Sequence, residues 1–537
     1  MSTSATLSLC MIVRDEAEML PRCLTAVRGL WTELRAVDTG SRDGTVAILE
    51  AEGARVLHRT WDDDFSAARN AGLEGATGDW ILFLDADEIV SRGLAEQIST
   101  LVADPAAGAA TVVIRNHLPH GHRRDASVLR LFRNHPSVRF QFPIHEDVTD
   151  SVRACLAAQG RRLRHLPGVV EHLGYVRAHA ASRNKKTRDT QLLLRCLEHD
   201  RSDLYSWFKL LELARFWGDR ALWSEAATSV AGVLEVSGPM ALVGKPFGGE
   251  LIALCADGLF PADDIAGALR FVDSWAGLVD PSAALFLRRG ELRELAGEIA
   301  AAAADFARCG ELAEVTSDLQ LATVRPLMGL ARLALATGDN NGAWRRVDMA
   351  LSCGPRDPEA LLLALLLCRA RGGDAAVQDF LVAHAAAHGD SAELHEALGE
   401  AALVGGRARV AVSELRRAAG DPPLGRAALR LAQAHLAAGE IDDARRLSAD
   451  LASTLPEAAL GVLVCDLVSG RDSDLTLNID DETAHRELRS WVDLLRGAAP
   501  PALLECFRRA APAVTEFFPW LPRYLGAAGR AATARAR

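Results

Sequence analysis

One stretch limits most sharply what this chain can become: Trp80-Ile81-Leu82-Phe83-Leu84-Asp85-Ala86-Asp87-Glu88. Behind Gly78 and Asp79 the apolar run reads as a buried strand, and it ends abruptly in three carboxylates. Asp85 and Asp87 are two apart, so in extended backbone both side chains point to one side. Carboxylates held together at the rim of an apolar sheet repel each other unless something neutralises them. Hard divalent cations with oxygen ligands, Mg²⁺ or Mn²⁺, do this, and they bring phosphates with them. In an open α/β sheet, ligands bind beyond the carboxyl ends of the strands, where these residues fall. The competing reading is a loop of solvated acids, since Asp-x-Asp is common by chance. Its place after so apolar a strand favours the site.

The preceding residues alternate in the same manner. Strands are expected at Leu7–Val13, Leu34–Val37 and Arg55–His58, with helices over Ala17–Gly29, Val46–Ala51 and Ala67–Glu74, the last capped by Ser66. This βαβ alternation predicts a parallel sheet covered on both faces, with polar clusters at the ends of the first, second and fourth strands. A nucleotide pocket would form there. The chain has no Gly-x-Gly-x-x-Gly after the first strand and no Gly-x-x-x-x-Gly-Lys-Ser/Thr, so a dinucleotide fold and a phosphate-binding loop are both disfavoured. Phosphate would be held by a metal and basic side chains.

At 537 residues, two or more domains are expected. A net charge of −11 with no long basic stripe argues against nucleic acid as a partner. Ten cysteines without a Cys-x-x-Cys pair form neither a zinc framework nor a disulfide scaffold and fit a reducing cytosol. Met1–Thr6 carries no positive charge, which disfavours a signal peptide. No run approaches the ~20 apolar residues of a spanning helix, so membrane contact would be peripheral.

Residues 1–178 read as the α/β domain and 179–537 as an all-α domain, with the boundary near Tyr175–Ala181. Within the second, Gly338, Gly373, Gly406 and Gly439 are spaced 35, 33 and 33 apart, close to the ~34-residue period of tetratricopeptide helix pairs. Gly218 and Gly297 mark earlier turns of the same kind, and Ala360–Leu367 reads as helical core. Stacked helix pairs offer a concave face suited to peptides or proteins, or else a scaffold for self-association as a homo-oligomer. Ser182–Arg188 is the most basic cluster, a brace for a diphosphate or a solvated helix face. The tail after Pro500, with Phe517, Phe518 and Trp520, reads as a capping element.

The motifs LSLCMIVRDE, VDTGSRDGT, WDDDFSAARNAGLEGATGDWILFLDADE, RLFRN, PIHEDV and EHLGY together resemble the family-two glycosyltransferases of the GT-A fold. The resemblance runs from about Ser8 to Arg195. It is greatest to the bacterial branch that joins this domain to tetratricopeptide-like helices, including peptide S-glycosyltransferases. It implies a metal-dependent, inverting transferase of the hexosyl type, using a UDP-sugar and Mn²⁺ or Mg²⁺, with a protein, peptide or glycan acceptor. The runner-up is a protein of the same fold that has lost its chemistry and acts as a repeat-based interaction module. Nucleotidyl transfer is a third reading, disfavoured by the absence of a Gly-rich phosphate loop.

The resemblance also implies roles. Asp38 would contact the uracil or ribose, the alternative being a turn-capping carboxylate. Asp64 would face the nucleoside, with Arg69 behind it as partner to Asp64 or to a phosphate. Relatives usually carry Asn where this chain has Asp15, which shifts weight to Glu16. Asp85 and Asp87 would hold metal and sugar diphosphate, Asp87 as direct ligand. His172 would be a third ligand or a structural histidine; as a ligand it would favour manganese. Glu146 would be the base that deprotonates the acceptor, with Asp147 as the fallback, and His145 would orient the carboxylate or touch the diphosphate.

Overall fold

The computed structural model describes residues 5–117, 123–173, 181–312, 319–423, 425–471 and 481–511, together with Phe518 and Leu521. Leu7–Val13 forms β1, an uninterrupted apolar run because both of its faces are covered: Leu7, Leu9, Met11 and Val13 enter one core and Cys10 another. Around it lie β2 (Glu33–Asp38), β3 (Arg55–His58) and β4 (Trp80–Phe83), all parallel, in the order β3-β2-β1-β4. The connecting helices are α1 (Leu20–Ala26), α2 (Thr45–Ala51) and α3 (Phe65–Glu74). α1 is shorter than the expected Ala17–Gly29, with turns on both sides.

Beyond β4 the sheet is no longer parallel throughout. After β5 (Glu88–Val90) and α4 (Arg92–Val102), a long hairpin of β6 (Ala107–His117) and β7 (Arg123–Arg133) adds antiparallel to β4. Past α5 (Thr149–Gln159), β8 (Arg162–His172) returns parallel to β6, and β5 pairs antiparallel with β8 at the far edge. The full order is β3-β2-β1-β4-β7-β6-β8-β5. β4 and β5 are thus neighbours in sequence yet four strand spacings apart, ~19 Å in a flat sheet. The link between Phe83 and Glu88 reaches at most ~17 Å fully extended, and it is not extended, since Glu88 N–H bonds Asp85 O at 3.1 Å. The sheet therefore curls, bringing the end of β8 over the carboxyl end of β4. The mostly parallel α/β sheet followed by an all-helical region is the expected fold class.

Close approach of β4 to β1 depends on Gly78, where a Cβ would lie 2.6 Å from the Ser8 backbone nitrogen. Gly78 N–H bonds Ser8 Oγ, which donates in turn to Glu33 Oε2 at 2.5 Å. The same oxygen accepts Thr77 N–H at 2.8 Å, and Arg55 reaches Oε1 at 3.3 Å. Glu33 thus ties β1, β2 and β3 together below the site.

After β8 come α6 (Ala181–His199) and α7 (Leu204–Phe216). The proposed boundary near Tyr175, and the Gly174 and Tyr175 of EHLGY, lie outside the described residues, as do the side chains at 182–185, Phe517 and Trp520. Lys186 pairs with Asp219 at 2.8 Å, a helix-to-helix bond. The chain forms two compact units, residues 1–322 and 323–537. In the second unit, Gly338, Gly406 and Gly439 each end the first helix of a pair with φ of 78°, 67° and 82°, the left-handed stop that helix pairs of this kind use. Gly373 likewise breaks Pro358–His388 into two helices, the first burying Ala360, Leu361, Ala364 and Leu365. Among the described residues, no helix is long and apolar enough to cross a membrane, and no disulfide joins the cysteines.

Burial works against the Glu33 carboxylate, but the Ser8 and Thr77 hydrogen bonds hold its pKa below the ordinary value. Stability from this group is therefore present above the unfolded carboxyl value of about 4.3 and lost as pH falls through the folded value. Glu33→Gln should cost about 1–3 kcal/mol at pH 7 and flatten the loss of stability below pH ~4. Chemical denaturation at several pH values checks this; an equal deficit at every pH would contradict it.

Candidate active site

The site is assembled on one face of α3. Its N-cap is Asp64, whose Oδ1 accepts Ala67 N–H at 2.8 Å, so the helix starts two residues earlier than expected and Ser66 is not the cap. The reason is that Ser66 Oγ is otherwise engaged, donating to Phe142 O at 2.5 Å. Helical spacing puts Phe65, Ser66, Arg69 and Asn70 on the same side. Phe65 N–H bonds Pro143 O at 2.8 Å. Asn70 takes both backbone groups of Phe140, at 2.9 Å each. Segment 140–146 is thereby fastened along the helix.

Arg69 is the centre of this face. Its Nε donates to Glu146 Oε1 at 2.5 Å and its Nη2 to Asp85 Oδ1 at 3.1 Å. The guanidinium lies on the Phe83 ring at 4.3 Å and has 7% of its side chain exposed. On the other side, Arg130 of β7 donates from Nη2 to Asp85 Oδ2 at 3.1 Å and to Glu88 Oε1. Glu88 is 1% exposed, and its Oε2 accepts the Asp85 N–H at 3.0 Å. Burial alone would raise the Asp85 pKa, but Arg69 and Arg130 on either side hold it well below the usual carboxylate range. Burial likewise works against the charge on Arg130, and Glu88 and Asp85 outweigh it.

The backbone from Asp85 to Glu88 turns rather than running extended, and the two acids take different partners: Asp85 bonds the two arginines, whereas Asp87 Oδ2 lies 3.4 Å from His172 Nε2 at the end of β8. His172 Nδ1 is 2.7 Å from Asn116 Oδ1, which fixes the ring's orientation. Four carboxylates, Asp85, Asp87, Glu88 and Glu146, stand against two guanidiniums, leaving two negative charges uncompensated before His172 is counted. Of the four, Asp87 is the acid that neither arginine holds. One carboxylate and one oriented imidazole at the rim fit a divalent cation completed by substrate oxygens. Among the described residues, the one trio of ligating atoms mutually within 4.8 Å lies elsewhere, at His435, Glu440 and Asp443; the expected trio of Asp85, Asp87 and His172 is here a pair, with Asp85 taken by arginines.

The other expected residues surround this centre. Asp38 is buried at the end of β2; its Oδ1 accepts Ser41 N–H at 3.0 Å and its Oδ2 is 3.2 Å from His58 Nδ1. Burial opposes its charge, but these hydrogen bonds hold the pKa below the usual value. The β1 and β2 loops are latched together: Arg42 N–H bonds Asp15 Oδ1 at 2.7 Å, and Glu16 N–H bonds Thr45 Oγ1 at 2.7 Å. Asp147 Oδ1 accepts Thr149 N–H at 2.9 Å, and its backbone pairs with Gln141, so it builds the loop, while Glu146 points at Arg69. His145 is exposed with φ 55°. Sequence reasoning gave no role to Glu88, Arg130, Asn70 or Asn116. Arg130 begins the RLFRN motif and Asn70 ends WDDDFSAARN, so the motifs themselves carried the signal.

Residues 8–155 match the model of the family described as Glycosyl transferase family 2. A TPR repeat-containing protein of Synechococcus elongatus is 45% identical over 208 residues, covering 38% of this chain and 51% of that protein. The SPbeta prophage-derived glycosyltransferase SunS of Bacillus subtilis is 29% identical over 150 residues, 27% of this chain and 35% of that protein. An uncharacterized glycosyltransferase of Rickettsia felis is 33% identical over 97 residues, 18% of this chain and 34% of that protein. The chain spans about half the length of the first relative and about a third of the other two. Its N-terminal region is a family 2 glycosyltransferase domain, and a mostly helical region follows it.

Proposed function

We propose that this protein transfers a sugar from a nucleotide sugar, UDP-linked, to a protein, peptide or glycan acceptor, with inversion at the anomeric carbon. The observation that carries the reading is Arg69, which joins Glu146 to Asp85 beside the Asp87–His172 pair. Glu146 and Asp85 thus share one guanidinium, which supports a base close to the leaving-group site.

In this account Asp38 and Asp64 border the nucleoside. Asp87 and His172 would hold Mn²⁺ or Mg²⁺, which when bound offsets the charge that grows on the departing diphosphate. Asp85 keeps Arg69 and Arg130 in place and charged. Glu146 takes the proton of the acceptor nucleophile as its bond to the anomeric carbon forms, the carbon–oxygen bond to the diphosphate breaks, and the nucleoside diphosphate leaves. Asp147 is the alternative base, and its engagement with Thr149 and Gln141 favours Glu146.

Incubation with a panel of nucleotide sugars and Mn²⁺ tests the activity: consumption of one donor supports transfer, and binding without turnover would leave an interaction module. Asp87→Ala should abolish metal-dependent donor binding and transfer without unfolding the domain, as should chelation of the cation in the wild type; unchanged turnover in the variant removes Asp87 from the account. Glu146→Gln should bind donor normally and transfer ~10²–10⁴-fold more slowly. Wild-type rates in that variant would move the base to Asp147.

A further inference from the structure

The segment that carries Glu146 is strained. Phe142 and His145, neither of them glycine, have φ of 71° and 55°, a conformation that persists only where the surroundings enforce it. Half of the enforcement is α3, through Phe65, Ser66 and Arg69. The other half comes from the helices. Tyr205, near the start of α7, donates its hydroxyl to His145 O at 2.8 Å. Its ring stacks on Phe142, centroids 3.8 Å apart and planes 21° from parallel. Between these two points Ile144 is buried in the helical core with Leu192, Trp207 and Phe208. Tyr205 is itself braced: Phe247 meets its ring edge-on at 5.5 Å, and Lys209 lies over it at 5.4 Å while pairing with Glu212 at 2.7 Å. Burial, with the Asp147, Glu212 and Glu146 carboxylates nearby, pushes the phenol pKa well up, so the hydroxyl remains a donor.

We infer that Tyr205 is a positioning residue for transfer: its hydroxyl on His145 O and its ring on Phe142 lock the strained backbone that aims the Glu146 carboxylate. The first helices of the all-α region are then part of the catalytic apparatus rather than an attachment to a finished enzyme. The inference rests on the proposed role of Glu146 and goes beyond it by assigning the element that sets its position. Tyr205 touches neither Asp87 nor His172, so donor and metal binding should not depend on it.

The test compares steady-state kinetics of the full-length wild type with those of Tyr205→Phe, Phe142→Leu and Glu146→Gln, each first checked by thermal melting. Tyr205→Phe keeps the ring and loses only the hydroxyl. We expect its kcat to fall about tenfold, and that of Phe142→Leu to fall ~10–100-fold, with the donor KM unchanged within about twofold in both. A Tyr205→Phe kcat within about twofold of wild type, or a change confined to the donor KM, overturns the inference. Glu146→Gln separates the two layers. If it is inactive while Tyr205→Phe turns over normally, only the positioning role fails. If Glu146→Gln itself turns over at the wild-type rate, the base assignment fails and the inference with it.

Discussion

A single buried guanidinium holds this site together. Arg69 lies flat on Phe83 at the heart of the sheet, and the two acids it bonds come from separate parts of the chain. Asp85 follows β4, whereas Glu146 lies about sixty residues later in a strained loop. The cation between them links the two carboxylates and offsets their mutual repulsion. Arg130 repeats the device, satisfying Asp85 and Glu88. Once two arginines have taken three of the acids, Asp87 is the one left facing His172.

The curled sheet makes that arrangement possible. Were it flat, β5 could not pair with β8 so soon after β4, and His172 would be several strand widths from Asp87. Pairing through β7, β6 and β8 carries the chain round until Leu173 N–H bonds Asp87 O at 3.1 Å. The helices that follow continue the same logic: Tyr205 and the pocket around Ile144 hold the 140–146 loop from outside, as α3 holds it from within. The loop, the carboxylates it faces and the first helices all belong to the compact unit of residues 1–322.

Much of this is legible in the sequence because it rests on local rules. The apolar strand ending in acids, the parallel β1–β4 alternation and the glycines at 338, 373, 406 and 439 each carry their own chemistry. What is not legible depends on partners distant in sequence. Extended backbone at Asp85–Asp87 is a fair expectation from spacing, but Glu88 folds back on the Asp85 N–H and the segment turns. Ser66 is a good N-cap residue by type, yet Phe142 O claims its hydroxyl and Asp64 takes the cap. The long antiparallel β6–β7 hairpin breaks the parallel pattern, and nothing in the periodicity of β1–β4 announces it. Arg130 is flagged by its motif but not its role, and Tyr205 reaches the site only through tertiary packing, which no spacing rule picks out.

The most direct test of the central claim is a double-mutant cycle between Arg69 and Glu146, read by chemical denaturation of Arg69→Met, Glu146→Gln and the combined variant. If the guanidinium holds the loop to the sheet as described, the two substitutions should be coupled by about 1–3 kcal/mol, the combined variant being less damaged than the separate losses predict. Additivity to within about 0.3 kcal/mol would show that the two side chains do not depend on one another, and the account would fail at its root.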